Sequence, residues 1–106
     1  MKKKQYIFDL VKASVQAVDP NAVVILYGSY ARGEEREDSD IDLLILVDVK
    51  KEKLDYYDKK KISDPIYGIG LETDTLIMPK IYSKIGWANH RVTPYYENVN
   101  REGIVL

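Results

Sequence analysis

The sequence predicts an α/β protein in which helices cover a β-sheet. Three observations point there. A short, continuously apolar run, "AVVILY" at 22–27, and a second run, "DIDLLILV" at 40–47, apolar after its two acids, suit strands covered on both faces. Segments of helical periodicity lie around them. Turn residues mark the boundaries between the two kinds of segment.

The elements follow in order. Ile7, Leu10, Val11, Ser14 and Val18 recur at helical spacing, and "DPN" at 19–21 ends that first helix. After the strand at 22–27, Gly28 breaks the chain, Ser29 is placed to cap a short helix, and Gly33 stops it. "EEREDS" reads as a solvated loop before the strand at 40–47. Residues 50–64 are charge-dense, with Leu54, Tyr57, Lys61 and Ile62 near one face, so a surface helix is expected that Pro65 ends or kinks. "IYGIGLETDTLIM" at 66–78 reads as a strand entered through Gly68 and Gly70. Ser83 caps a short helix carrying Trp87, and Thr93-Pro94 opens a last helix running to about Arg101. Gly103 ends it, and "IVL" forms a terminal strand.

Composition narrows the function. The 106 residues suit one domain with one modest core. Sixteen basic against seventeen acidic side chains, a net charge of −1, supply no broad footprint for nucleic acid or an anionic membrane. The absence of cysteine excludes disulfides, thiol catalysis and thiolate metal sites. No apolar run is long enough to span a bilayer. Asp9 and Lys12 interrupt the start "MKKKQYIFDLVKASVQA", so it is not read as a signal peptide, and a cytoplasmic protein is expected.

The chemistry is concentrated between residues 28 and 42. Side chains alternate along a strand, so Asp40 and Asp42 share a face, with α-carbons roughly 6–7 Å apart. Two carboxylates held so close repel unless a cation lies between them. Mg²⁺ suits such a pair, because it takes one or two carboxylates and completes its shell with water and substrate phosphates. Gly28 lets a phosphate approach the backbone, and Ser29 offers amides and a hydroxyl where a helix begins. A triphosphate would then lie between turn and metal. Either motif alone is weak: an isolated Asp-x-Asp is more often a solubility device at a strand edge, and Gly-Ser is usually just a turn. Together, at a ten-residue spacing and each beside an apolar strand, they are a roughly one-in-10⁵ coincidence per position.

The segment "GSYARGEEREDSDIDLLILV" resembles the signature of the polymerase-β-type nucleotidyltransferase superfamily, in its smallest form, the minimal nucleotidyltransferases. Gly28, Ser29, Asp40 and Asp42 match the motif, Arg32-Gly33 its common extension, and "YYENVNREGIVL" resembles the close of such domains. The resemblance implies a mixed sheet flanked by helices over residues 1–106. It also implies transfer of a nucleoside monophosphate, AMP from ATP, to an acceptor hydroxyl with Mg²⁺ or Mn²⁺. A third carboxylate on a neighbouring strand belongs to that pattern; Asp74 is the candidate, with Glu72 as the alternative. Arg32 is equally suited to a phosphate and to an ion pair with Glu34, Glu35 or Asp38. Bare domains of this kind often accompany a small helical partner of the HEPN type, as antitoxins, in some cases adding AMP to a tyrosine of the partner. Two other readings stand beside this one: an inert nucleotide-binding module acting by contact, and a less favoured aminoglycoside-type nucleotidyltransferase. Trp87, Tyr95 and Tyr96 are the expected docking face for a partner. His90, the only histidine, is expected to be a surface or capping residue.

Overall fold

The computed structural model describes residues 4–106. The basic lead at Lys2 and Lys3 lies outside the described residues. The chain runs α1 (Gln5–Val18), β1 (Val23–Tyr27), α2 (Ser29–Arg32), β2 (Ile41–Val47), α3 (Tyr56–Thr73), β3 (Ile77–Ser83), α4 (Lys84–Ala88), α5 (Pro94–Glu102) and β4 (Ile104–Val105). The four strands form one mixed sheet in the order β3-β2-β1-β4. β1 pairs antiparallel with both β2 and β4, and β2 runs parallel to β3.

Both sheet faces are covered, which is why β1 and β2 are apolar at successive positions. On one face Val24, Leu26, Leu43 and Ile45 meet Ile7, Phe8 and Val11 of α1 and Ile62 and Ile66 of α3. On the other, Leu44 and Leu46 meet Trp87 of α4 and Val99 of α5, with Val23, Ile25 and Tyr27 beside them. Asp19 in the "DPN" turn accepts from the amides of Asn21 (3.0 Å) and Asp48 (2.7 Å), tying the end of α1 to the end of β2. The expected caps at Ser83 and Thr93 are present, accepting from Gly86 N–H (2.9 Å) and Tyr96 N–H (3.2 Å). The terminal strand is present too, as β4.

Of the expected strand at 66–78, only residues 77 and 78 are strand. Residues 56–73 form one helix with Pro65 inside it, and the strand follows at 77–83. A proline removes one intrahelical hydrogen bond and crowds the preceding turn. Tertiary packing outweighs that penalty: Ile62, Ile66 and Gly70, spaced by four, form the buried stripe of α3. The helix also starts later than expected, at a capping box in which Asp55 accepts from Asp58 N–H (2.8 Å) and Asp58 accepts from Asp55 N–H (3.1 Å). Glu72 therefore sits exposed in the last turn of a helix. Asp74 is its C-cap, at φ 51°, a left-handed conformation that aspartate tolerates better than most residues. Pro79 lies in the edge strand β3; Ile41 N–H donates to the Leu76 carbonyl, so by the parallel pattern the Pro79 nitrogen faces away from β2 and no ladder bond is lost.

Trp87, Tyr95 and Tyr96 do not form an exposed surface. Trp87 is 6% exposed, stacked on Tyr96 and His90 with Tyr95 edge-on, and both tyrosines are half-buried in the second core. Amphipathic aromatic side chains fill that layer between sheet and α5. His90 belongs to the same cluster, its Nδ1 3.0 Å from the carbonyl of Gly86. Among the described residues, no helix is long and apolar enough to cross a membrane.

Candidate active site

The site is built where β1 ends and β2 begins. Tyr27 and Asp42 are cross-strand partners, so the turn after Tyr27 lies beside Asp42. Gly28 has φ 75° and ψ −154°, a conformation essentially reserved for glycine. A Cβ on Gly28 would overlap Asp42 Oδ2, so the turn and the carboxylate pack directly against each other. Gly28 rather than Ser29 is the N-cap of α2, and no side chain caps that helix. Ser29 is its first residue, and the first amides of a helix have no intrahelical acceptor.

Asp40 lies just before β2, exposed, and Asp42 is within the strand, half-buried. Burial, and then the neighbouring Asp40, push the Asp42 carboxyl above its ordinary value; the Arg32 guanidinium and Lys80 act the other way. A half-buried carboxylate beside a second acid carries a cost that a bound cation relieves. This donor set fits a hard divalent cation that completes its shell with phosphate oxygens. Among the described residues, no group of three or more His, Cys, Asp or Glu side chains is placed to hold a metal together.

Gly28, Ser29, Arg32, Asp40 and Asp42 all line one open cavity of about 420 Å³. Its far wall is α5, through Tyr95, Asn98 and Glu102. The Tyr95 hydroxyl donates to the Tyr27 hydroxyl (3.0 Å), and burial pushes both phenols up. Arg32 pairs with Glu34, one of the acids expected, and also with Glu102 (3.0 Å), which was not. Neither Asp74 nor Glu72 lines this cavity. Asp74 lines a larger one, about 550 Å³, together with Tyr67, Leu71 and Leu76. The two cavities have Ser39 in common, but none of the five motif residues faces the larger; the motif is gathered in the smaller one. By register with Asp42 and Leu44, the residues that β3 presents on the side of the site are Met78 and Lys80, neither of them acidic.

Tyr27, Tyr95, Asn98 and Glu102 were not legible as site residues. Glu102 is 74 positions from Gly28, and nothing local in "NREGIVL" marks a contact over that distance.

Comparison with known proteins places the chain in a family. The nucleotidyltransferase domain family matches residues 9–96. The chain belongs to that family. Two proteins of Methanocaldococcus jannaschii, each named "Putative protein adenylyltransferase", are similar to it. One is 49% identical over 61 residues, 58% of this chain and 59% of that protein. The other is 38% identical over 84 residues, 78% of this chain and 75% of that protein. The aligned part thus spans about three fifths of the first relative's length. A solved structure described as the crystal structure of the toxin-antitoxin with AMP-PNP shares the fold, with a TM-score of 0.61 at 18% identity. That match covers 96% of this chain and 70% of the other. The mixed four-stranded sheet flanked by helices is the nucleotidyltransferase fold, as the motif implied.

Proposed function

We propose that this nucleotidyltransferase domain transfers AMP from ATP to a hydroxyl of a macromolecular acceptor, a tyrosine of a small helical HEPN-type partner in an antitoxin role. The observation that carries the transfer is the packing of Gly28 against Asp42, which joins the phosphate-binding turn and the carboxylate pair in one cavity. The relatives' names favour the adenylyl group and a protein acceptor, and the toxin–antitoxin title of the fold neighbour motivates the partner.

In this reading the backbone at Gly28 and Ser29, with the Ser29 hydroxyl, holds triphosphate oxygens, and Arg32 neutralises the outer phosphates. Asp40 and Asp42 would hold Mg²⁺ or Mn²⁺, which when bound supplies charge stabilisation at the phosphates. The acceptor hydroxyl gives up its proton to solvent, its oxygen bonds to the α-phosphorus in line with the breaking bond to the α–β bridging oxygen, and pyrophosphate leaves. The protein contributes by positioning and electrostatics rather than by covalent chemistry. The open side of the cavity leaves room for the acceptor to approach.

A second reading, a nucleotide-binding module without turnover, is favoured by one observation: Asp74 and Glu72 stay outside the cavity, leaving two carboxylates in the motif. The two readings separate on incubation with labelled ATP, divalent metal and host lysate. Transfer predicts a labelled protein band, lost in Asp40→Asn/Asp42→Asn and retained in Asp74→Asn. Tight nucleotide binding with no labelled product in any fraction would leave only the binding module.

A further inference from the structure

Glu102 is the last residue of α5, and its carboxylate reaches across the cavity to the turn after β1. Its Oε1 accepts from the Gly28 amide (3.3 Å) and its Oε2 from Arg32 Nη1 (3.0 Å). Its side chain is only 16% exposed. Two features make the position unfavourable for an anion. It sits at the C-terminal, negative end of a helix. It also faces Asp42, whose carboxyl it helps to raise. The donors on Gly28 and Arg32 offset that cost. They are also two of the donors assigned above to the triphosphate.

We propose that Glu102 is an internal competing ligand: its carboxylate occupies the phosphate position of the Gly28–Arg32 turn, and an incoming polyphosphate binds by displacing it. This rests on the reading of the cavity as a triphosphate site and adds a residue that sets its affinity. A ligand must bring enough negative charge, with its metal, to take both donors at once. A weakly charged ligand leaves Glu102 in place. The apparent affinity is lowered by the fraction of molecules in which the donors are already taken. Release costs the fold little, because Glu102 ends its helix and can turn toward solvent.

The test is calorimetric titration of wild type, Glu102→Gln and Glu34→Gln with sodium tripolyphosphate and with a non-hydrolysable ATP analogue, each with Mg²⁺. Glu102→Gln keeps the shape and an acceptor for Gly28 but removes the carboxylate charge that pairs with Arg32; it should tighten both ligands by about tenfold. Glu34→Gln removes the other carboxylate charge paired with the same guanidinium without touching Gly28, and should stay within about twofold of wild type. Equal or weaker binding by Glu102→Gln would overturn the proposal and make Glu102 a brace for the turn. Equal tightening by Glu34→Gln would overturn it as well, in favour of simple charge removal. A wild-type measurement covers the case of a variant that does not fold: on titration with tripolyphosphate, the Glu102 side-chain carboxyl carbon and the Gly28 amide should shift together in the NMR spectrum. A carboxyl signal that stays fixed while the amide moves overturns displacement. The nucleotide reading fails separately: if neither protein prefers the ATP analogue to tripolyphosphate but Glu102→Gln still binds both more tightly, displacement stands and the nucleotide is removed.

Discussion

Replacing Gly28 with alanine tests the joint between turn and carboxylate, and its cost divides into two parts. The first is backbone strain: at φ 75° and ψ −154° a residue with a Cβ costs about 1–3 kcal/mol. The second is overlap with Asp42 Oδ2, with Cγ at 3.2 Å and Cβ at 3.4 Å close behind. The carboxylate is the end of a side chain and can turn away, at about 0.5–1.5 kcal/mol for an off-rotamer position. The sum is about 1.5–4.5 kcal/mol, a fall in Tm of roughly 7–20 °C for a domain of this size. Gly33 supplies the control. It has φ 71° and ψ 22° with nothing within 4 Å of a Cβ, so Gly33→Ala carries left-handed strain alone, about 1 kcal/mol. The overlap part is isolated by repeating Gly28→Ala in an Asp42→Ala background, where Oδ2 and Cγ are gone and only an ordinary contact remains. Urea denaturation of the four proteins should give a coupling of about 1 kcal/mol, with Gly28→Ala cheaper in the Asp42→Ala background. An identical cost in both backgrounds would refute the packing of the turn against Asp42, and with it the single cavity.

Two further outcomes are expected of the same fold. Because burial and Asp40 raise the Asp42 carboxyl, the folded state binds more protons there than the unfolded chain does, and the metal-free protein loses stability as pH rises from the ordinary carboxylate range through the raised value. Asp42→Asn lacks this loss, so in chelator it should melt higher than wild type near pH 7, with the advantage gone below about pH 3; a variant that melts lower near neutral pH would make Asp42 a structural acid. Trp87→Ala removes the centre of the second core, and thermal melting should show a loss of about 3–5 kcal/mol; a stable, folded variant would restore the tryptophan as a docking residue.

The sequence by itself determined the features whose cause is local. Gly28-Ser29 and Asp40-x-Asp42 sit at the ends of two apolar strands because alternation and turn chemistry act over a few residues. The caps at Ser83 and Thr93-Pro94 were legible for the same reason. So was the double covering of the sheet, since β1 and β2 carry apolar residues on both faces. Only the tertiary structure decided the rest. Residues 66–73 contain glycines and follow a proline, which locally argue for a break, yet the contacts of Ile62, Ile66 and Gly70 continue the helix through them. That places Asp74 and Glu72 outside the cavity. Trp87, Tyr95 and Tyr96 suit either an interface or a core by composition, and the sheet face opposite α1 and α3 settles them as core. Glu102 joins the site from the end of the last helix. Its part depends on a hydrogen bond spanning 74 residues, and the energy that forms such a contact comes from the packing of α5 on the sheet, which no short stretch of sequence contains.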